Sequence, residues 1–366
     1  MAKPLRRVRA RPRAVVLALV AGACGGRYGE ARRPAGAVGV EAAGLPYAFV
    51  EARTGRELPA DAALARLGAA RVLCVGEEHS NPHHHWAQLE VVRLVVTPTA
   101  PARQWALGME MFQRPFQGVL DDFAAGRIDE PTLLSRAGWA ERWGFDFGLY
   151  RPIIRRAVDA PAALVALNPA KELVKKVSRQ GLAALTEAER AQLPELRLDD
   201  AAHRAWWDEI MAEMGQAHGH GKAAPAPAPT PEPEPQPAGQ APTALPPGHP
   251  PVPPSNSAAD QAAELAAEAD AQQRMYSVQV LWDESMADGA ARFVAGGPTR
   301  HMVILAGNGH CHDAGVITRL RRRGVGDALS ILPLVDDGEN VAAELARPRN
   351  DLLLVMRRPA PAAPQD

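Results

Sequence analysis

The stretch Val72-Leu73-Cys74-Val75-Gly76-Glu77-Glu78-His79-Ser80-Asn81-Pro82 decides the fold. Four consecutive apolar residues read as a buried strand, and the run stops at once in a glycine, two acids and a histidine. Asn81-Pro82 then has the form of a helix N-cap followed by proline at the first helical position, which opens a helix through His83, His84, His85 and Gln88 to about Val96. A strand, a polar turn and a helix in that order are the repeating unit of an α/β domain.

The same design recurs along the chain. Trp105–Met109 precedes Glu110, Ala163–Leu167 precedes Asn168, and Met302–Ala306 precedes Gly307-Asn308-Gly309-His310. In a parallel sheet the carboxyl ends of the strands lie along one edge, outside which ligands bind, so these four distant polar groups are expected to converge. Helical patterns fill the spaces between them, including 115–125, 149–158, 198–214 and 258–293. The expected fold is therefore α/β: a mostly parallel central sheet flanked by helices. Its helical portion is interrupted by a disordered Pro/Ala-rich insert at 222–257, where no apolar period could build a core.

The first 23 residues hold six cations and no acid, then an apolar run and the small residues Ala21-Gly22-Ala23 before Cys24. That is the layout of a secretory signal, and the cysteine after small residues looks like a bacterial lipobox. The expected organisation is a signal peptide at 1–23, a lipid-anchored tether at 24–44 with Cys24 lipidated, a domain at 45–356 and a tail at 357–366. The expected location is the bacterial cell envelope. Removing the six cations takes the net charge from -1 to -7. No basic stripe remains to track a phosphate backbone, so no nucleic-acid partner is expected.

Glu77 and His79, two apart in extended chain, point the same way and can share a proton, a metal or a propionate. Successive histidines on a helix diverge by about 100°, so His84, on a face with Gln88, is the one expected to reach the pocket. Glu110 is costly to bury unless paired. Asn168-Pro169 is also a turn signal. Asp283 lies on a predicted helix within reach of the pocket, and His310 and His312 flank Cys311, so His79, His310 and His312 are the candidate metal ligands. Cys74 and Cys311 are open to two readings, a disulfide in an oxidising compartment or two buried small hydrophobes, and the second is preferred as the commoner. Nothing matches a nucleophile-elbow serine or a Walker sequence.

The ordered series Gly76-Glu77-Glu78-His79, Pro82-His83-His84 with Gln88, Glu110-Met111-Phe112 with Gln117, Trp143, Tyr150-Arg151-Pro152, Ala166-Leu167-Asn168, Gln279 with Trp282-Asp283-Glu284-Ser285-Met286-Ala287, and Gly307-Asn308-Gly309-His310 resembles the ChaN-like family of haem-binding lipoproteins. The resemblance implies a lipid-anchored protein that binds haem for haem or iron uptake. It implies a pocket made of Glu77, His79, His84, Glu110, Asn168, Asp283 and His310, and a homodimer holding haem at its interface through a tyrosine oxygen. This chain has only Tyr28, Tyr47, Tyr150 and Tyr276, and His203 stands where the ligand tyrosine is expected, which leaves the iron ligand open with His203 as a candidate substitute. The same fold resembles erythromycin esterase-like and TraB/Tiki-like proteins. That supplies a rival, a hydrolase using Glu77 or Glu110 with His79 and His310, with or without a divalent metal. A third reading is a surface lipoprotein that captures metal or another protein through its histidine-rich insert. The haem-binding, non-enzymatic reading is preferred.

Overall fold

The computed structural model describes residues 38–97, 103–217 and 258–358. Cys24, the leader, the insert at 222–257 and the tail beyond 358 lie outside them. The described residues divide into two compact units, 38–97, 103–206 and 274–358 in the larger and 207–217 and 258–273 in the smaller. In the second of these the described residues are helical, 207–217 and 258–273.

Among the described residues the larger unit carries a sheet of eight strands: β1 (Tyr47–Glu51), β2 (Glu57–Leu58), β3 (Val72–Val75), β4 (Gln104–Gln113), β5 (Ala163–Asn168), β6 (Arg300–Leu305), β7 (Ala328–Asp336) and β8 (Leu352–Arg357). Their order is β2-β1-β8-β7-β3-β6-β4-β5. The pairs from β8 to β5 are parallel, and β1 closes one side antiparallel to β8 and β2. The expected α/β fold with a mostly parallel sheet is what the chain forms. The helices are α1 (Ala60–Ala69), α2 (Pro82–Val95), α3 (Gln117–Ala124), α4 (Glu130–Ala137), α5 (Trp139–Arg142), α6 (Arg151–Asp159), α7 (Lys171–Gln180), α8 (Glu187–Arg190), α9 (Ala201–Ala217), α10 (Ala258–Ala295), α11 (Thr318–Arg322) and α12 (Asn340–Ala346).

The central strands are buried on both faces, so side chains alternate between two cores. Leu73, Val75, Leu107, Met109, Val303 and Leu305 join the core that includes Ala87 and Leu89 of α2 and Ile153 of α6. Val72, Cys74, Ala106, Met302 and Ile304 join the one that includes Met286, Ala287 and Ala290 of α10 and Leu320 of α11. Helices thus cover both faces, as parallel sheets require.

Three expectations need correction. Packing begins before Leu45, because a short 3-10 turn at Val40–Ala43 buries Val40 and Ala43. His83 Nδ1–H then donates to the Ala43 carbonyl. At the other end Arg357 lies inside β8, not in the tail. Cys74 and Cys311 are a disulfide with Cα atoms 5.2 Å apart. The register explains the encounter: Cys74 pairs with Ile304 near the end of β6, from which the chain turns back through Gly307-Asn308-Gly309.

Candidate functional site

Glu77 follows β3 directly and is fully buried, and its charge is held by donors from three places. His79 Nδ1 lies 2.7 Å from Oε1, the Tyr150 hydroxyl donates to the same oxygen at 2.8 Å, and Gln88 Nε2 donates to Oε2 at 2.8 Å. His85 Nδ1 is 3.4 Å from Oε2. Burial by itself would raise the Glu77 pKa. The charge of His85 and the hydrogen bonds from His79 and Tyr150 outweigh it and push the carboxyl down to about 2. Tyr150 in turn accepts from Trp143 Nε1 at 3.1 Å.

The other ring nitrogen of His79, Nε2, has no protein hydrogen bond among the described residues, and the side chain is 12% exposed. Trp143 and Phe145, both half-buried, pack on the ring with centroids 4.7 Å and 4.9 Å away. Burial disfavours charge on His79, yet the bond and the attraction to Glu77 raise its pKa.

Glu110 lies inside β4, since that strand continues to Gln113 through a shift of register against β5. Met109 pairs with Leu305, the last residue of β6, so Glu110 stands level with the turn that follows β6. Gly307 N–H donates to Glu110 Oε2 at 2.7 Å, and His310 Nε2 is 3.4 Å from Oε1. His310 Nδ1 lies 2.6 Å from Asp283 Oδ1, and the second Asp283 oxygen is 2.9 Å from His203 Nε2. His203 Nδ1 reaches the Tyr276 hydroxyl at 3.2 Å. Glu110, His310, Asp283, His203 and Tyr276 therefore form one buried chain of alternating acid and base. Burial opposes charge on His310, but Glu110 and Asp283 push its pKa up to about 10. Asp283 is held well below the usual carboxylate range: burial opposes this, and His310, His203 and Arg319 overcome it.

The two groups meet at Gly307. A Cβ there would lie 3.1 Å from His79 Cε1 and 3.8 Å from Glu110 Oε2. At Gly76 a Cβ would fall 2.2 Å from Asn308 Oδ1, so the β3 turn also needs glycine for close approach. Two buried oxygens at these strand ends, Asn168 Oδ1 and Asn308 Oδ1, have no hydrogen-bond partner among the described residues.

The structure thus places Glu77, His79, Glu110, Asp283, His203 and His310 in two bonded clusters that share Gly307. His84 has a different task from the one expected of it. Its Nδ1 accepts the Glu78 backbone N–H at 3.0 Å, and burial pushes its pKa down to about 3, so it fixes the turn as a neutral ring. His85 is the helix histidine that reaches Glu77. It uses an i,i+3 contact with Gln88 at 3.1 Å and sends Nε2 to the His79 carbonyl. His312 turns away as well, with its ring 4.2 Å from Trp206 and Nε2 on the Gly309 carbonyl. His79, His310 and His312 do not make a metal-holding set, and no group of three or more His, Cys, Asp or Glu has that arrangement among the described residues.

A family described as haem-binding uptake, Tiki superfamily, ChaN matches residues 63–320, more than two thirds of the chain. The chain belongs to that family. Its fold is similar to that of ChaN of Campylobacter jejuni, a protein described as binding haem cofacially: TM-score 0.57, 12% identity, 85% of this chain and 97% of that one covered. A mutant of the erythromycin esterase EreC in its open conformation aligns at a TM-score of 0.37 and 11% identity, over 85% of this chain and 83% of that one. No match is found among curated protein sequences.

Proposed function

We propose that this chain binds haem at the strand-end edge, with His79 offering Nε2 to the iron, and that it does so in the cell envelope, anchored by a lipid on Cys24, for haem or iron uptake. One observation carries the choice of ligand: Glu77 fixes Nδ1 of His79 while Nε2 is left without a partner among the described residues. A carboxylate on the far nitrogen orients a ligating imidazole and strengthens it as a donor. Trp143 and Phe145 beside the ring suit the edge of a flat aromatic group.

The other rings are less suited. Both nitrogens of His203 are engaged and the residue is fully buried. The three described tyrosines are engaged too: Tyr47 donates to Glu90, Tyr150 to Glu77, and Tyr276 meets His203. Burial is the largest cause in raising the pKa of each, so none favours the phenolate form. Bound haem would supply an iron centre. The chain's own part is to orient His79, hold the proton on its Nδ1 against the Glu77 carboxylate and keep the neighbouring carboxylates fixed. The disulfide agrees with an oxidising compartment.

Titrating the chain from residue 25 onward with haemin tests the reading. A Soret shift that saturates at a fixed ratio is expected, and a linear, non-saturating response would refute it.

A further inference from the structure

Asp283 serves the histidine chain, whereas the next residue, Glu284, gathers arginines. Glu284 is fully buried and makes close ion pairs with Arg322 and with Arg323 Nη2, the latter at 2.6 Å. Arg319 Nε is 3.4 Å away, and the Arg197 backbone N–H donates to Oε1 at 3.4 Å. Further along α10, Asp288 holds Arg292 Nε at 3.0 Å and Arg114 Nη2 at 3.2 Å. Arg197, Arg292, Arg322 and Arg323 line a cavity of about 390 Å³ on whose wall the only acids are Asp288 and Glu195.

Cations are in excess there. Glu284 is shared between Arg322 and Arg323 on the wall, with Arg319, which also lies 3.8 Å from Asp283 Oδ2, behind them, and Glu195, 76% exposed, pairs with Arg197 at the surface where water and salt screen it. Arg114 feels the crowding: burial lowers its pKa and Arg292 and Arg323 lower it further, against the pull of Asp288. Glu284 also fixes Arg322 and Arg323 in place, so little side-chain freedom is left to lose when a ligand arrives.

We propose that this cavity binds a phosphate monoester dianion through Arg197, Arg292, Arg322 and Arg323. Planar guanidinium forks match tetrahedral oxyanions in pairs, and the four wall arginines stay in excess when Asp288, Glu195 and the Glu284 behind Arg322 and Arg323 are all counted against them, which suits an anion. The cavity is larger than a bare phosphate needs and falls in the range of about 300–1,000 Å³ typical of small-molecule pockets. A phosphate borne on a small polar molecule or on a lipid headgroup therefore fills it better. This site is separate from haem binding and stands or falls without it.

The test is calorimetric titration of the chain with glycerol phosphate, inorganic phosphate and glycerol, beside flotation with phosphatidylcholine vesicles with and without phosphatidic acid. The double variant Arg197→Ala/Arg292→Ala removes two exposed side chains, and an unchanged melting temperature confirms its fold. Saturable binding of glycerol phosphate but not glycerol, weakened at least tenfold in the variant, supports the proposal with a soluble ligand. Flotation that requires phosphatidic acid and both arginines supports it with a lipid source. No binding in either arm, or binding that the double variant retains, overturns it.

Discussion

The two sides of the strand-end edge use the same pair of groups for different ends. On the α2 side, Glu77 is bonded to His79, and His79 keeps one ring nitrogen without a protein partner among the described residues. On the α10 side, Glu110 and Asp283 bracket His310, so both ring nitrogens are spent and the ring is sealed. A carboxylate on one nitrogen makes an oriented ligand, whereas a carboxylate on each makes a fixed cation. The pair therefore does not announce its role; what faces the second nitrogen does. His310, its pKa raised by Glu110 and Asp283 and both its nitrogens engaged, is a poor proton acceptor, and both Glu110 oxygens are occupied. The α10 cluster is accordingly suited to holding the Gly307–His310 turn in place, not to activating a water.

If so, the largest effects of substitution should fall on the sealed side. Asp283→Ala strands His310 and His203 without their shared acceptor and should cost roughly 3–5 kcal/mol in urea denaturation, the usual penalty for breaking a buried ion pair; a loss below about 1 kcal/mol would mean the cluster is not structural. The disulfide lies in the same core and anchors the residue after His310, so Cys74→Ala with Cys311→Ala should cost about 2–4 kcal/mol, measured in the same way. On the open side, Glu77→Gln keeps shape and loses charge. It should cost only about 1–3 kcal/mol while weakening haem binding by about 10–100-fold, and a stability loss as large as that of Asp283→Ala would erase the contrast between the sides.

Titration gives the smallest and most gradual signal. The folded His310 pKa, about 10, lies above the unfolded value near 6.5. Its stabilisation is therefore complete below about pH 6.5 and fades as pH rises towards 10. Glu77 runs the opposite way: with a folded value of about 2, its contribution is present above the ordinary glutamate pKa and fades as pH falls towards 2. Chemical denaturation across this range should show a plateau between the two windows, and Asp283→Asn should remove most of the alkaline fall.

Much of this edge was legible in the sequence, because the strand-turn unit is local. Four apolar runs ending in Glu77, Glu110, Asn168 and the Gly307–His310 turn mark four adjacent strands, and Asn81-Pro82 marks the start of α2, where the Asn81 side chain caps the His83 N–H. Strands with no polar group behind them escaped that reading. β8 ends in no such motif, and β7 contains Pro333, which argues against a strand by itself. The sheet tolerates it because β3 ends opposite Ile331, leaving β8 as the neighbour at Pro333. Partners brought by tertiary packing were also out of reach. Tyr150 meets Glu77 from 73 residues away, and choosing His85 over His84 depends on how α2 is rotated against β3, which periodicity alone leaves open.

The most direct test of the account is the haem spectrum of His79→Ala with imidazole added back. The variant should fold as the parent does, lose the saturable Soret shift, and recover it with millimolar imidazole, because the substitution empties the place of the ring proposed as ligand. An unchanged spectrum and affinity in His79→Ala would contradict the assignment of the ligand and move the site elsewhere on the chain.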